Sequence, residues 1–146
     1  MIYRLITLSF LLGFSTLLGC RKTLDLNQDV YLNIEDLLHS TNCAVPCGTV
    51  AECEGDQARI RGSVDAMNIM DFADKFYLLD PTDNDYRIEV LVDTSASAQV
   101  FSLIQNAGGQ IALVEGVLDG YDAATGFSCD RQFVLLVQTA DQVRLE

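Results

Sequence analysis

The chain has 146 residues, with 21 acidic and nine basic side chains, a formal net charge of −12 and a mean hydropathy of +0.21. This length is enough for one domain with a hydrophobic core. An acidic surface repels phosphate backbones at long range, so the composition predicts that no nucleic acid is a partner. The same surface can attract cations or basic partners, although acidic surfaces often serve solubility alone.

The first residues of the chain have the pattern of a secretory signal. Arg4 precedes an apolar run from Leu5 to Phe14, and small residues follow it. A transmembrane helix needs about 20 apolar residues, and this run is shorter and interrupted by polar ones. A charged start, a short apolar core and a small residue before the break are typical of a cleaved signal peptide.

The stretch Leu17-Leu18-Gly19-Cys20 resembles the lipobox of bacterial lipoproteins at each of its four positions. The resemblance implies that residues 1–19 are removed after Gly19, and that Cys20 receives a diacylglycerol by thioether and an acyl chain such as palmitate on its new amine. Two or more acyl chains hold a protein stably to a membrane. The implied location is the cell envelope, most naturally the periplasmic side of the outer membrane. The alternatives are an ordinary signal with a chance cysteine, or a buried N-terminal helix.

Cleavage after Gly19 leaves 127 residues with eight basic and 21 acidic side chains, a balance of −13. It also leaves an even number of cysteines, namely Cys43, Cys47, Cys53 and Cys129. In an exported domain this number predicts two disulfides, and the spacing does not choose among the three pairings. A metal site built from three of these cysteines and His39 is the rival interpretation. Its intervals, H-x3-C-x3-C-x5-C, differ from the usual C-x2-C knuckles, so no metal is predicted.

The segment before the main domain is predicted to be a tether followed by a short helix. Residues 21–32 are polar with scattered leucines, as in a linker. Residues 33–40 predict a helix with Ile34, Leu37 and Leu38 on one face. We therefore divide the chain into a signal peptide (1–19), a lipidated tether with a short helix (20–42) and one domain (43–146). His39, the only histidine, is interpreted as a solvated or capping residue.

The rest of the chain alternates between strand patterns and turns, with one helical period. Ile60, Gly62 and Val64 alternate with polar residues. A helix is expected from Ser95 to the glycines at 108–109, capped by Thr94 or Ser95. The predicted strands are 58–64, 76–80, 86–92, 111–118 and 133–137, residues 43–53 form a cross-linked loop, and residues 119–131 form a long loop.

Three strands, a helix and two strands, with Gly62 bending the first strand, resemble the OB-fold. The segments Ala58–Val64 and Gly109–Val117 look most like its first and fourth strands. The resemblance implies a mainly β protein, with a small five-stranded Greek-key barrel and one helix between strands three and four. The competing architecture is a small antiparallel sandwich or an open sheet capped by the helix. In the OB arrangement Cys129 lies near the start of strand one, which implies a long bridge from Cys129 to Cys47 or Cys53 and a local bridge within 43–53.

The resemblance also implies a binding surface, since OB-folds bind on the outer face of strands two and three. Tyr77 and Arg87 would point outward there, and Arg59 and Arg61 would add basic groups from strand one. Such a surface can stack on and hydrogen-bond a sugar, a base or a peptide. The alternative is an ordinary outer sheet face whose arginines pair with carboxylates such as Glu89.

An apolar loop between the first two strands is the second candidate site. It carries Met67, Met70 and Phe72, which either plug the open end of the barrel or form a patch for a protein partner.

The acidic turn and the motif content bear on function. Asp80, Asp83 and Asp85 could offer oxygen ligands to calcium, but they lack the EF-hand spacing and are ordinary turn formers. The sequence has no P-loop, no dinucleotide-binding glycine motif and no Ser-His-Asp or Cys-His constellation, so we expect no cofactor and no catalysis. The favoured hypothesis is a lipid-anchored envelope module that contacts an envelope protein or a glycan. The alternative is a lipoprotein that binds a small ligand or a divalent cation.

Overall fold

A computed structural model describes residues 23–26, 29–67, 74–126 and 128–146. The predicted signal peptide, Cys20, Met70 and Phe72 lie outside these ranges. In the described residues no helix is long and apolar enough to cross a membrane. The helices are α1 (Ile34–Leu38), α2 (Thr94–Ile104) and a 3₁₀ turn (Ala140–Gln142). The strands are β1 (Gln57–Val64), β2 (Lys75–Leu79), β3 (Arg87–Val92), β4 (Ile111–Thr125), β5 (Ser128–Val137) and β6 (Val143–Leu145).

Five strands close into a barrel in the order β1-β2-β3-β5-β4, and β4 returns to pair with β1. Every pair is antiparallel except β3–β5, which is parallel. β6 adds to β4 beyond the barrel, and α2 follows β3 and precedes β4. This is the Greek-key barrel of the OB-fold. The predicted fold class is therefore confirmed, and the closure excludes an open sheet or a sandwich.

The core fills the barrel because each strand turns alternate residues inward. In β1 the inward residues are buried while Arg59 and Arg61 are partly exposed, as the period-two pattern predicts. Large side chains from β2, β3 and α2 complete the core, among them Phe76, Leu78, Ile88, Val90, Val100 and Ile104. Full burial of such a side chain contributes about 1.5–3 kcal/mol.

Gly62 permits a close approach between two strands. β1 pairs with β4 as far as Ser63 and with β2 from Ser63 onward. A Cβ atom on Gly62 would lie 2.8 Å from the Leu78 Cβ and 3.1 Å from the Leu79 carbonyl oxygen. The glycine thus leaves room for β2 where β1 passes from one partner strand to the other.

The cap of α2 differs from the predicted one. Asp93 is the N-cap residue, and its Oδ1 accepts hydrogen bonds from the Ser95 backbone N–H at 2.8 Å and the Ser95 hydroxyl at 2.6 Å. The expectation that Thr94 or Ser95 caps the helix is wrong, because an aspartate one residue earlier reaches the free N–H groups. The helix ends at Ile104, before the turn that contains Gly109 with φ +80°.

The long loop predicted at residues 119–131 is instead a β-hairpin. β4 and β5 pair without a break from Val117–Leu136 to Thr125–Ser128. Most side chains between Asp119 and Asp130 are exposed or half-buried, so neither face of the hairpin packs on the core. A hairpin without a buried face has no apolar alternation, and its sequence therefore has the composition of a loop.

Part of the predicted tether packs on the barrel. The Leu32 N–H donates to the Arg59 carbonyl at 2.8 Å, and the Arg61 N–H donates to the Leu32 carbonyl at 2.9 Å. Leu26 is 9% exposed, and Ile34 of α1 is fully buried in the core cluster. The scattered leucines therefore cover one side of the barrel, and this segment is a tether only in part.

Candidate functional site

The outer face of β2 and β3 carries a tyrosine held by a carboxylate and an arginine. Tyr77 points outward because its neighbours Phe76 and Leu78 point into the core. Its hydroxyl donates to Glu89 Oε2 at 2.6 Å, and the Arg87 guanidinium lies 5.4 Å from the centre of its ring. A guanidinium over an aromatic face is attracted by the ring's negative quadrupole. The expected pairing of Tyr77 with Arg87 is thus present, and Glu89 fixes the ring.

The hydrogen bond to Glu89 raises the pKa of Tyr77 to about 12, with burial and the negative charge of Glu89 adding to the effect. A hydrogen bond in which the neutral hydroxyl donates to a carboxylate favours the protonated form. The same hydrogen bond fixes the orientation of the half-exposed ring.

The β4–β5 hairpin forms the opposite wall of a cavity over this face. The cavity has a volume of about 290 Å³, and Tyr121 and Gln132 line it from the hairpin while Tyr77 and Arg87 line it from the barrel. Tyr121 is 45% exposed, which is high for a ring of its size. Two tyrosines and two planar polar side chains thus surround one concave surface.

A second cavity of about 730 Å³ lies beside the first, on the side of α1. Arg87, Asp130 and Gln132 line both cavities, so the two lie side by side, and together we call them the outer groove. In the second cavity the His39 ring meets the Tyr86 ring edge to face, with centroids 5.0 Å apart. His39 thus lines the groove as an aromatic partner of Tyr86.

Two disulfides hold the loop that forms one side of the outer groove. Cys43 bonds to Cys53 and Cys47 bonds to Cys129, with Cα–Cα distances of 5.5 and 5.7 Å. The predicted combination of one local and one long-range bridge is confirmed, with Cys47 as the partner of Cys129. All four described cysteines are thereby bonded, which removes the thiolates that the alternative metal site with His39 requires.

An arginine fastens the same loop to the hairpin. Arg131 donates to both carboxylate oxygens of Glu54, at 2.9 and 2.7 Å, and to Asp122 Oδ1 at 3.0 Å. The hydrogen bonds from Arg131 hold the pKa of Glu54 below its usual range, although burial opposes the shift. A Cβ atom on Gly120 would lie 2.5 Å from the Glu54 carboxyl carbon, so a side chain at this position would have to displace Glu54 from its present place.

Arg59 and Arg61 do not join Tyr77. Arg59 pairs with Asp29 and with Glu115 Oε2 at 3.4 Å, and Arg61 donates to Glu146 Oε2 at 2.6 Å. β1 is beside β2 only at Ser63 and Val64, so these arginines lie where β1 adjoins β4. The expected group of three arginines beside Tyr77 is therefore reduced to Arg87 alone.

The partners of Arg59 form a separate polar network. The Tyr31 hydroxyl donates to Glu115 Oε1 at 2.7 Å, and Arg144 Nη2 lies 2.8 Å from the same oxygen. The hydrogen bond from Tyr31, and the bond and charge of Arg59, lower the pKa of Glu115 against the effect of burial. These groups satisfy one another, so the network stabilises the barrel surface and offers little to a ligand.

The structure also gives the positions of Met67 in the apolar loop and Asp80 in the acidic turn. Met67 is 91% exposed, so its side chain does not plug the barrel. Asp80 is fully buried and accepts four hydrogen bonds, from the backbone N–H groups of Glu35, Thr82 and Asp83 and from the Thr82 hydroxyl. Burial alone would raise the pKa of Asp80, but the four donors outweigh it and lower the value. In the parts of the chain that the structure describes, no three His, Cys, Asp or Glu side chains are grouped to hold a metal.

No protein-family model and no curated protein matches the chain. Among solved structures it is similar to a chain described as "Plasmodium falciparum SSB complex with ssDNA", with 16% sequence identity and a TM-score of 0.38. The match covers 62% of this chain and 91% of that chain.

This match corrects one expectation. The prediction excluded nucleic acid as a partner. That exclusion is wrong, since the matched OB-fold chain is described in complex with ssDNA. Net charge governs only long-range, non-specific attraction to phosphates, whereas an OB face binds through local aromatic and polar groups.

Proposed function

We propose that the protein is a lipid-anchored, non-catalytic binding module of the bacterial cell envelope, and that its ligand occupies the outer groove. The observation that carries the proposal is the cavity over the β2–β3 face, where Tyr77, Arg87, Tyr121 and Gln132 converge, with the larger cavity beside it. The lipobox-like stretch that ends at Cys20 supports the anchor, and the two disulfides are consistent with an exported domain.

The chemistry of the outer groove suits an extended ligand with hydroxyl or amide groups. Aromatic rings offer faces for stacking, and the planar guanidinium and amide groups of Arg87 and Gln132 offer paired hydrogen bonds. Asp130 adds an acceptor beside them. A glycan strand or an extended segment of an envelope protein has this combination of apolar faces and polar edges.

The proposed role is binding without chemistry. The four described cysteines are in disulfides, and the single histidine packs on Tyr86. Catalysis by a nucleophile needs a base within hydrogen-bond reach of it. In our proposal the groove residues Tyr77, Arg87 and Gln132 only stack on the ligand and orient it.

Site-specific photo-cross-linking in native membranes tests the proposal. A photoreactive amino acid replaces Gln132 in the groove or, as a matched control, Gln99 on the exposed side of α2. We expect an adduct from position 132 that position 99 does not give, and that Tyr77→Ala or Arg87→Ala reduces. Digestion of the adduct with a glycan hydrolase, a protease or a nuclease then identifies its class. Equal adducts from both positions, or adducts unaffected by both alanine variants, would contradict the proposal.

A further inference from the structure

The first described residues, Thr23 and Leu24, are hydrogen-bonded to the disulfide-linked loop beside the outer groove. The Thr23 and Thr41 hydroxyls are 2.8 Å apart. The Asn42 side-chain amide donates to the Leu24 carbonyl at 3.2 Å, and the Leu24 N–H lies 3.4 Å from the amide oxygen. These contacts fix where the chain leaves the barrel on its way to the N-terminus.

The distance from that point to the proposed anchor is short. Only Arg21 and Lys22 separate Thr23 from Cys20. Three residues of fully extended chain span at most about 11 Å. A lipid on Cys20 therefore keeps Thr23, and with it Thr41 and Asn42, close to the membrane surface.

The loop at this end of the barrel has no charged side chain of its own, although its Gly48 N–H donates to Asp122 of the hairpin at 3.1 Å. Residues 41–51, which we call the neutral loop, contain no acidic or basic side chain in a chain whose net charge is −12. Val50 on this loop is 74% exposed, and Pro46 and Thr49 are exposed as well. Anionic headgroups repel carboxylates but accept a neutral surface, and they attract basic residues such as Arg21 and Lys22 by about 1 kcal/mol each.

The opposite end of the barrel is well separated from the neutral loop. β3 begins at Arg87, which lines the same cavity as Pro46, and runs to Val92. Five residue steps along a strand cover about 16 Å. α2 begins at Thr94, just past that far end. The barrel thus has one end near the anchor and another, marked by α2, remote from it.

We propose that the neutral loop is a membrane-contact surface, and that the barrel rests with this end on the lipid headgroups of the bilayer that holds Cys20. The proposal depends on the anchor of the proposed function and adds the orientation of the domain. The two disulfides keep the neutral loop in one shape, so the contact needs little further ordering. Because the outer groove adjoins this loop, it opens beside the membrane and receives ligands located at the membrane surface.

Paramagnetic relaxation in nanodiscs tests the orientation. The full-length lipidated protein, labelled with ¹⁵N, is placed in phospholipid nanodiscs in which a fraction of the headgroups carries gadolinium. We expect amide relaxation of Thr41, Gly48 and Val50 to be enhanced several-fold more than that of Gln99 on α2. Insertion of a long Gly-Ser linker between Lys22 and Thr23 should remove the difference, because the barrel then tumbles away from the surface.

Two point variants sharpen the test. Val50→Asp places a charge on the neutral loop and should reduce the relaxation enhancement of the loop amides in anionic nanodiscs. Leu103→Asp, on α2, should leave the enhancement of the loop amides unchanged. Similar enhancement at both ends of the barrel in a protein shown by mass to be lipidated would overturn the orientation and leave the proposed anchor intact. A protein without lipid that stays out of the nanodiscs would overturn both.

Discussion

Removal of the Cys47–Cys129 disulfide is the perturbation whose effect on stability can be worked out most directly. The bond joins residues 82 apart in the chain and connects the neutral loop to the β4–β5 hairpin. In the native protein Cys47 is only half-buried and Cys129 is exposed. Replacing both by serine therefore loses little packing, and the measured loss reports mainly the cross-link.

The magnitude follows from the loop-entropy model. A closed loop of 82 residues removes unfolded-state entropy equivalent to about 4.5 kcal/mol at 25 °C. The local Cys43–Cys53 bridge closes only ten residues and contributes about 2.7 kcal/mol in the same model. Since single domains have total stabilities of about 5–15 kcal/mol, the long bridge is a large share of the whole.

The assay is urea unfolding of residues 20–146 with Cys20→Ser, which have neither signal peptide nor lipid, followed by circular dichroism, with and without Cys47→Ser and Cys129→Ser. With a urea slope of about 2 kcal/mol per molar, the midpoint should fall by roughly 2 M. In excess reductant the two chains should unfold at similar midpoints, because neither then has the cross-link. A loss below about 1 kcal/mol under oxidising conditions would refute the reasoning from loop closure.

Three further predictions concern single residues. Gly120→Ala should lower the thermal midpoint by several degrees, because the new methyl group displaces Glu54 from Arg131. The fall in midpoint should be smaller in a Glu54→Ala background, and an equal fall in both backgrounds would contradict this. Asp80→Asn should cost about 1–3 kcal/mol at pH 7. Folding lowers the pKa of Asp80, so the stability that its carboxylate contributes is present above the unfolded value of 3.8 and is lost as the pH falls through the lower folded value. The difference in unfolding free energy between variant and native protein, measured from pH 7 to pH 2, should therefore be smaller in acid. Tyr77 should ionise near pH 12 in an ultraviolet titration, and Glu89→Gln should bring that step toward pH 10; a step already near 10 in the native protein would contradict the hydrogen bond.

The parts of the fold with a buried face were predictable from the sequence. β1 and β3 alternate because one side packs on the core, and the helical period of α2 places Val100 and Ile104 inward. The combination of one long-range and one local disulfide followed once the OB resemblance placed Cys129 near the start of strand one, but the resemblance did not choose between Cys47 and Cys53 as its partner.

The parts held by polar contacts were not predictable in the same way. The hairpin beyond Leu118 has no core face, and its Arg131 and Cys129 are held by Glu54 and Cys47, which are distant from it in sequence. The outer groove depends on this hairpin, so Tyr121 and Gln132 were missed while Tyr77 and Arg87 were found. His39 and Tyr86 meet only because α1 packs beside the start of β3, and no local pattern signals that contact.

The central claim, a binding module anchored by lipid, is tested most directly by the intact mass of the protein purified from the membranes of a cell that processes bacterial lipoproteins. We expect a chain that begins at Cys20 and carries the added mass of a diacylglycerol and one further acyl chain. Cys20→Ser should abolish both the processing at Gly19 and the added mass. A native chain that begins elsewhere, or that begins at Cys20 without lipid, would contradict the account.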